Sequence, residues 1–280
     1  MWLAHFLPLG ALAAIGNALG AAAFWLIPER RRVTRINLEK CFPQMSAQER
    51  ERLARAHFRA FSRSFVERAV LWWAPRERVE RMVRVEGLEH LRALGGAPAI
   101  LLAPHFAGFD TGFARLACEM NLVSMYARQK DARFSALLLR GRTRFGEQRL
   151  VSRQEGIRAA IAAMREGRPF YYLPDQDYGP RDAVFVPFFG VPAATVPGLS
   201  RIARLAGAKV LPCVTRMLPG GAGYLLRIEP AWDNFPGEDP VTDTRRMNEY
   251  IEHRVLEMPE QYLWMHKRFK TRPPGEARFY

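Results

Sequence analysis

The spacing of apolar positions changes twice along the chain. Residues 2–27 carry no formally charged side chain, and only His5 and Asn17 among them are strongly polar. At a helical rise of about 1.5 Å per residue, such a run is long enough to cross a hydrocarbon core of about 30 Å. Ser46-Ala47-Gln48-Glu49 then reads as a capping box, with a helical stretch after it to about Trp73. Along that stretch Arg50, Arg52, Arg55, Arg59 and Arg63 interleave with Leu53, Phe58, Phe61 and Phe65. Such a basic amphipathic pattern suits a membrane surface and the solvated face of a packed helix equally well.

Beyond residue 85 short apolar runs alternate with helical stretches. Strands are predicted at 97–103, 122–127, 148–151, 170–173 and 210–214, and helices at 108–120, 132–144, 155–166, 196–205 and 241–257. Pro219-Gly220-Gly221-Ala222-Gly223, between two extended runs, predicts a hairpin turn. Strands alternating with helices of about ten residues imply βαβ units and a sheet covered on both faces. The expected architecture is therefore α/β, a central sheet flanked by helices. Residues 1–29 form a membrane-anchor helix, and 30–280 a single domain with a helical N-terminal region.

Charge narrows the partners. Lys and Arg number 42 against 28 Asp and Glu, a formal net charge of +14. That excess suits nucleic acid, an anionic membrane surface, or acidic ligands and carrier proteins. Compositional bias toward Arg accounts for the Arg-to-Lys ratio but not for the net excess. Arg30, Arg31, Arg32 and Arg35 follow the apolar run rather than precede it, unlike a cleaved signal peptide. By the positive-inside rule they place the rest of the chain in the cytoplasm. The competing reading of residues 2–27 is a buried or interfacial helix of a soluble protein. Cys41, Cys118 and Cys213 are odd in number, far apart and free of C-x-x-C spacing. They point to a reducing compartment and to buried packing, not to a disulfide framework or a zinc ribbon.

Several common sites are missing from the sequence. It has no G-x-x-x-x-G-K-[ST] phosphate loop, no H-E-x-x-H and no G-x-S-x-G elbow, and its six histidines are not at paired ligand spacing. What stands out is Pro104-His105-Phe106-Ala107-Gly108-Phe109-Asp110, at the end of the apolar strand where sheet enzymes place reactive groups. Positions five apart on one regular helix diverge by about 140°. His105 and Asp110 can converge only if His105 precedes the helix and the chain turns between them, a turn Gly108 would permit. Asp110 would then hold one ring nitrogen, and the other would take a proton from an acceptor hydroxyl. By itself H-x4-D also arises by chance.

The H-x4-[DE] box after a strand resembles that of the glycerolipid acyltransferase superfamily. Other segments are similar to its late lipid A acyltransferase branch, the lauroyl and myristoyl transferases. These are Asn37-Leu38 with Cys41-Phe42-Pro43, Arg140-Gly141-Arg142, Pro174 to Gly179, Val184 to Phe189, and the closing stretch Pro259 to Pro273. The resemblance implies a central mixed sheet flanked by helices, behind the anchor helix. It implies His105 as general base with Asp110 as its partner, where many relatives have Glu. It further implies substrate-binding roles for Arg142, Arg153 and Asp175, with Arg153 in the place of a phosphate-binding arginine. Arginine's planar fork suits phosphate oxygens. The donor implied is an acyl thioester on acyl carrier protein, and the acceptor a hydroxyl of a lipid A precursor. The location implied is the cytoplasmic face of the bacterial inner membrane, against anionic lipid. No metal, cofactor or nucleic acid is implied. A sibling enzyme acting on a lysophospholipid, a glycolipid or an ornithine lipid would carry the same box. A basic, membrane-associated nucleic-acid-binding protein is the rival of another class, but the sequence has none of the standard strand-borne stacking motifs.

Overall fold

A computed structural model describes residues 1–127 and 131–280. Its N-terminal part is helical: α1 (Leu9–Leu26), α2 (Pro28–Cys41), α3 (Ala47–Trp73) and α4 (Arg76–Met82). The capping box is formed at α3. Ser46 Oγ accepts the Glu49 amide N–H (3.2 Å), and the Glu49 carboxylate accepts that of Ser46 (2.7 Å).

Helix α1 runs antiparallel along α3, presenting the i, i+4 row Leu12, Gly16, Gly20 and Phe24, all buried. Gly16 faces Arg63, Gly20 faces Arg59, and the Arg55 guanidinium lies 5.0 Å from the Phe24 ring centroid. A Cβ on Gly20 would stand 2.5 Å from Arg59 Cα, so the two backbones meet only because side chains are missing there. Phe24 closes the seam edge-on against Phe58 (5.3 Å, 83°). The opposite face of α1 is apolar yet open, with Ile15, Leu19, Trp25 and Leu26 exposed, and Trp2, Leu3 and Phe6 extend it.

The remainder is α/β. In chain order it runs β1 (Val83–Glu86), α5 (Leu88–Arg92), β2 (Ala99–Leu102), α6 (Phe109–Ala117), β3 (Val123–Tyr126), α7 (Ala132–Arg142), β4 (Arg149–Ser152), α8 (Ile157–Arg165) and β5 (Phe170–Tyr172). The hairpin strands β6 (Val184–Phe188) and β7 (Val191–Thr195) follow, then α9 (Gly198–Ala206), β8 (Lys209–Met217), β9 (Tyr224–Ile228) and α10 (Pro240–Glu257). Among the described residues the main sheet has seven strands in the order β1-β9-β8-β2-β5-β3-β4. Its neighbours pair in parallel except β8 with β9, so the sheet is mixed and flanked by helices, as expected. The period-2 alternation of β2 splits its residues between two cores. Ile100 and Leu102 join one, Ala99 and Leu101 the other, so the strand is apolar throughout. β1, α2, α4, α5 and the β6–β7 hairpin are additions to the elements read from the sequence.

The centre of the sheet matters most for function. β2 and β5 pair as Ile100↔Phe170, Leu101↔Tyr171 and Leu102↔Tyr172, and Ala103 N–H extends the ladder to Tyr172 O (2.9 Å). The two chains therefore leave the carboxyl edge of the sheet side by side, in register.

Candidate active site

His105 lies three residues beyond β2, and Asp175 three residues beyond β5, so the strand register carries one to the other. Asp175 Oδ1 accepts from His105 Nδ1 (2.7 Å) while Oδ2 accepts the His105 backbone N–H (3.0 Å). Asp175 is 2% exposed. Burial pushes its carboxyl up, but the His105 ring and these hydrogen bonds outweigh burial and hold it below the ordinary aspartate value. An ionised carboxylate only accepts, so the Nδ1 proton is on the ring. Nε2 makes no hydrogen bond among the described residues, and His105 lines a cleft of about 790 Å³.

Asp110 is placed differently from the sequence expectation. The ring nitrogen assigned to it is held by Asp175, and Asp110 instead sits between two arginines. Its Oδ1 takes Arg142 Nε (3.0 Å) and Nη2 (2.7 Å), and its Oδ2 takes Arg68 Nε (3.0 Å) and Nη2 (2.6 Å). Burial raises the Asp110 carboxyl, but the Arg142 and Arg68 charges and their hydrogen bonds outweigh it and leave the group at about 2. This triad ties α3, α6 and α7 together and carries a net positive charge at the cleft wall. His105 does precede α6, with Phe109 N–H closing a turn on Phe106 O (3.0 Å), as the spacing required. Gly108, however, has φ −84°, so left-handed freedom is not its use. It is small because a Cβ there would lie 2.8 Å from Thr215 O.

Arg142 and Arg153 both line the cleft; Arg142 is committed to Asp110, whereas Arg153 stacks over the Tyr178 ring at 4.2 Å. Arg181 lies alongside them, and Phe109, Phe113, Met125, Leu138 and Leu139 provide apolar wall. Arg68 was not singled out from the sequence, where it is one of many arginines on a basic helix. Asp177 serves a turn, accepting Gly179 N–H (2.8 Å), and also clamps Thr271 through its N–H (2.6 Å) and hydroxyl (2.9 Å). The closing stretch packs behind the site. His266 Nε2 accepts Asp177 N–H (3.1 Å), and burial first, then the neighbouring His105, lowers its ring to about 4. Arg268, 2% exposed, reaches Ala194 O (3.1 Å) and Thr195 Oγ1 (2.8 Å) on the hairpin, and Asn37 Nδ2 reaches Trp264 O (2.7 Å) and His266 O (2.8 Å). Four segments far apart in sequence thus converge around the His105 loop. Among the described residues no group of three or more His, Cys, Asp and Glu side chains is gathered as a metal site.

A histidine held by a carboxylate at the carboxyl edge of a mixed α/β sheet, over a cleft part apolar and part cationic, is an arrangement with the chemistry to move a proton beside a lipid-like ligand. Residues 1–271 match the family model for bacterial lipid A biosynthesis acyltransferases, and the chain belongs to that family; it is an acyltransferase. It is 34% identical to the lipid A biosynthesis lauroyltransferase of Escherichia coli K12, covering 98% of this chain and 90% of that one. Identity is 33% to the palmitoleoyltransferase of the same organism (100% and 92%) and 34% to its myristoyltransferase (94% and 82%). A solved acylglycerophosphate acyltransferase from Thermotoga maritima superposes at a TM-score of 0.42 with 16% identity, over 89% of this chain and 99% of that one, too loosely to inform the site.

Proposed function

We propose that the protein transfers a fatty-acyl group from an acyl carrier protein thioester to a hydroxyl of a lipid A precursor, at the cytoplasmic face of the bacterial inner membrane. The observation that carries this reading is His105 lining the cleft with Nδ1 already occupied by Asp175, which leaves Nε2 as the nitrogen for substrate. Nε2 takes the acceptor hydroxyl proton as the oxygen attacks the thioester carbonyl carbon. The tetrahedral adduct then collapses, the C–S bond breaks, and the departing thiolate takes the proton back from the imidazolium. The ring ends as it began, and no covalent enzyme intermediate is needed. Arg153, with Arg181 beside it, would hold the acceptor's phosphate, and Phe109, Phe113 and Leu138 would enclose acyl chain. The +14 charge favours encounter with an acidic carrier protein and an anionic lipid surface.

The α1–α3 seam supports an interfacial mode of attachment. If α1 crossed the bilayer, the α3 segment packed along it would bring Arg55, Arg59 and Arg63 into hydrocarbon. Each such charge costs about 3 kcal/mol or more at the centre of a bilayer. Helix α1 therefore lies in the interface, with Ile15, Leu19 and Leu26 immersed to about 5–10 Å. Purified protein with acyl carrier protein thioester and a tetraacyl lipid A precursor tests the whole reading. Transfer is expected, and His105→Ala should abolish it while the protein stays folded. Transfer to a lysophospholipid and none to the precursor would overturn the acceptor assignment.

A further inference from the structure

We propose that Asp175, reaching across from the neighbouring strand, is the positioning residue that fixes the tautomer and orientation of the His105 ring, and that Asp110 serves as the anionic hub joining Arg68 and Arg142. The proposal rests on His105 being the base of the transfer described above.

Three observations carry it. Both oxygens of Asp175 are spent on one residue, Oδ1 on the ring Nδ1 (2.7 Å) and Oδ2 on the main-chain N–H (3.0 Å), so carboxylate, ring and backbone form one rigid clamp. The clamp is anchored by the strand register, since His105 and Asp175 each lie three residues past paired positions of β2 and β5. Asp110 is saturated in the same sense: each of its oxygens receives two N–H donors from a guanidinium, and its side chain points into the α3–α7 junction.

An isosteric change at Asp175 should move the ring proton. In Asp175→Asn the single amide oxygen is drawn to the backbone N–H of His105, because that donor has no other acceptor. The NH2 group then faces Nδ1 and requires a lone pair there, so the ring proton moves to Nε2 and the base is lost. Shape is preserved and substrate contacts are untouched, so the loss falls on turnover and not on binding. The wrong-tautomer substitution of the same kind in a serine protease triad lowers turnover about 10⁴-fold. That precedent sets the scale expected here.

The experiment has two arms on the detergent-solubilised full chain. In the first, kcat and KM are measured for wild type and Asp175→Asn with acyl carrier protein thioester and lipid acceptor. The expected result is kcat reduced about 10³- to 10⁴-fold with KM within about threefold of wild type. In the second, ¹⁵N-histidine NMR reads the His105 tautomer, its resonances identified by their disappearance in His105→Gln. The wild type should show Nδ1–H, Asp175→Asn should show Nε2–H, and Asp110→Asn should leave Nδ1–H in place. An Nε2–H tautomer in the wild type overturns the proposal even if the Asp175 variant fails to fold. So does an Asp175→Asn enzyme within tenfold of wild-type kcat, or a tautomer that moves with Asp110 instead. A wild type that acylates no lipid would overturn the function reading alone, since the NMR arm needs no substrate.

Discussion

Replacing Asp110 with asparagine should destabilise the fold by an amount that depends on pH in a defined direction. The native carboxyl stands at about 2, against about 3.9 for aspartate in an unfolded chain. A group whose native value is depressed contributes stability above its unfolded value and loses it as pH falls through the native one. The difference corresponds to about 2–3 kcal/mol, present above about pH 5 and fading toward pH 2. A second route gives a similar figure. The asparagine variant leaves Arg68 and Arg142, whose side chains are 16% and 25% exposed, facing one another without their shared anion. Breaking a buried pair in this way costs about 3–5 kcal/mol, with the lower end appropriate because Arg142 is partly open to solvent. At about 2 °C per kcal/mol for a chain of this length, the thermal midpoint should fall by about 6 °C at neutral pH. Circular dichroism melts of wild type and Asp110→Asn in detergent, from neutral pH downward, read this directly. The gap should narrow as wild type loses the same charge in acid. A gap under about 1 °C at neutral pH, or one that persists unchanged in acid, would refute the triad as a source of stability. Arg68→Met is the internal check: Asp110 keeps Arg142, so the cost should be smaller.

Two further outcomes are expected. Gly20→Leu places side-chain atoms where Arg59 Cα already stands, and should pry α1 from α3; Ala18→Leu on the exposed face should not. Limited proteolysis near Ile27 would separate the two, with equal digestion rates counting against the seam. His57 is fully buried, its Nδ1 3.2 Å from Glu260 O, and burial lowers its ring to about 3. Its neutral form therefore supports the fold above the unfolded value of about 6.5, and that support is lost as pH falls toward 3. His57→Gln should flatten the decline of the thermal midpoint between about pH 6.5 and pH 4. Parallel curves for variant and wild type would show that another group titrates.

The sequence was informative where period was strong and silent where pairing decides. The apolar run 97–103 and the helix after His105 are local patterns, and β2 and α6 appear there within a few residues. Strand order is not local. β5 follows β4 in sequence but inserts between β2 and β3, and only that insertion brings Asp175 to His105. The matching three-residue overhangs are present in the sequence, but they carry no meaning until it is known which strands touch. Asp110 was drawn to His105 because the two are near in sequence, whereas Arg68 and Arg142 compete for it from other elements. The β6–β7 hairpin was hidden by Pro187 and Pro192, which pair across it. Proline removes a ladder donor and argues against a central strand, but a two-stranded hairpin has an outer edge on each side where that donor is not required.

The glycine seam between α1 and α3 bears on how the enzyme can be handled. A leading apolar helix invites removal to obtain a soluble catalytic body. Here its inner row is part of the packed body: Leu12 and Phe24 belong to the two cores, and Gly16 and Gly20 cover the backbone of the helix that carries Arg68. Cutting the chain before α2 would uncover a strip of α3 and exchange one exposed apolar face for another, on a body with weaker support behind its cleft. Solubility is better sought by changing Ile15, Leu19 and Leu26, which face outward.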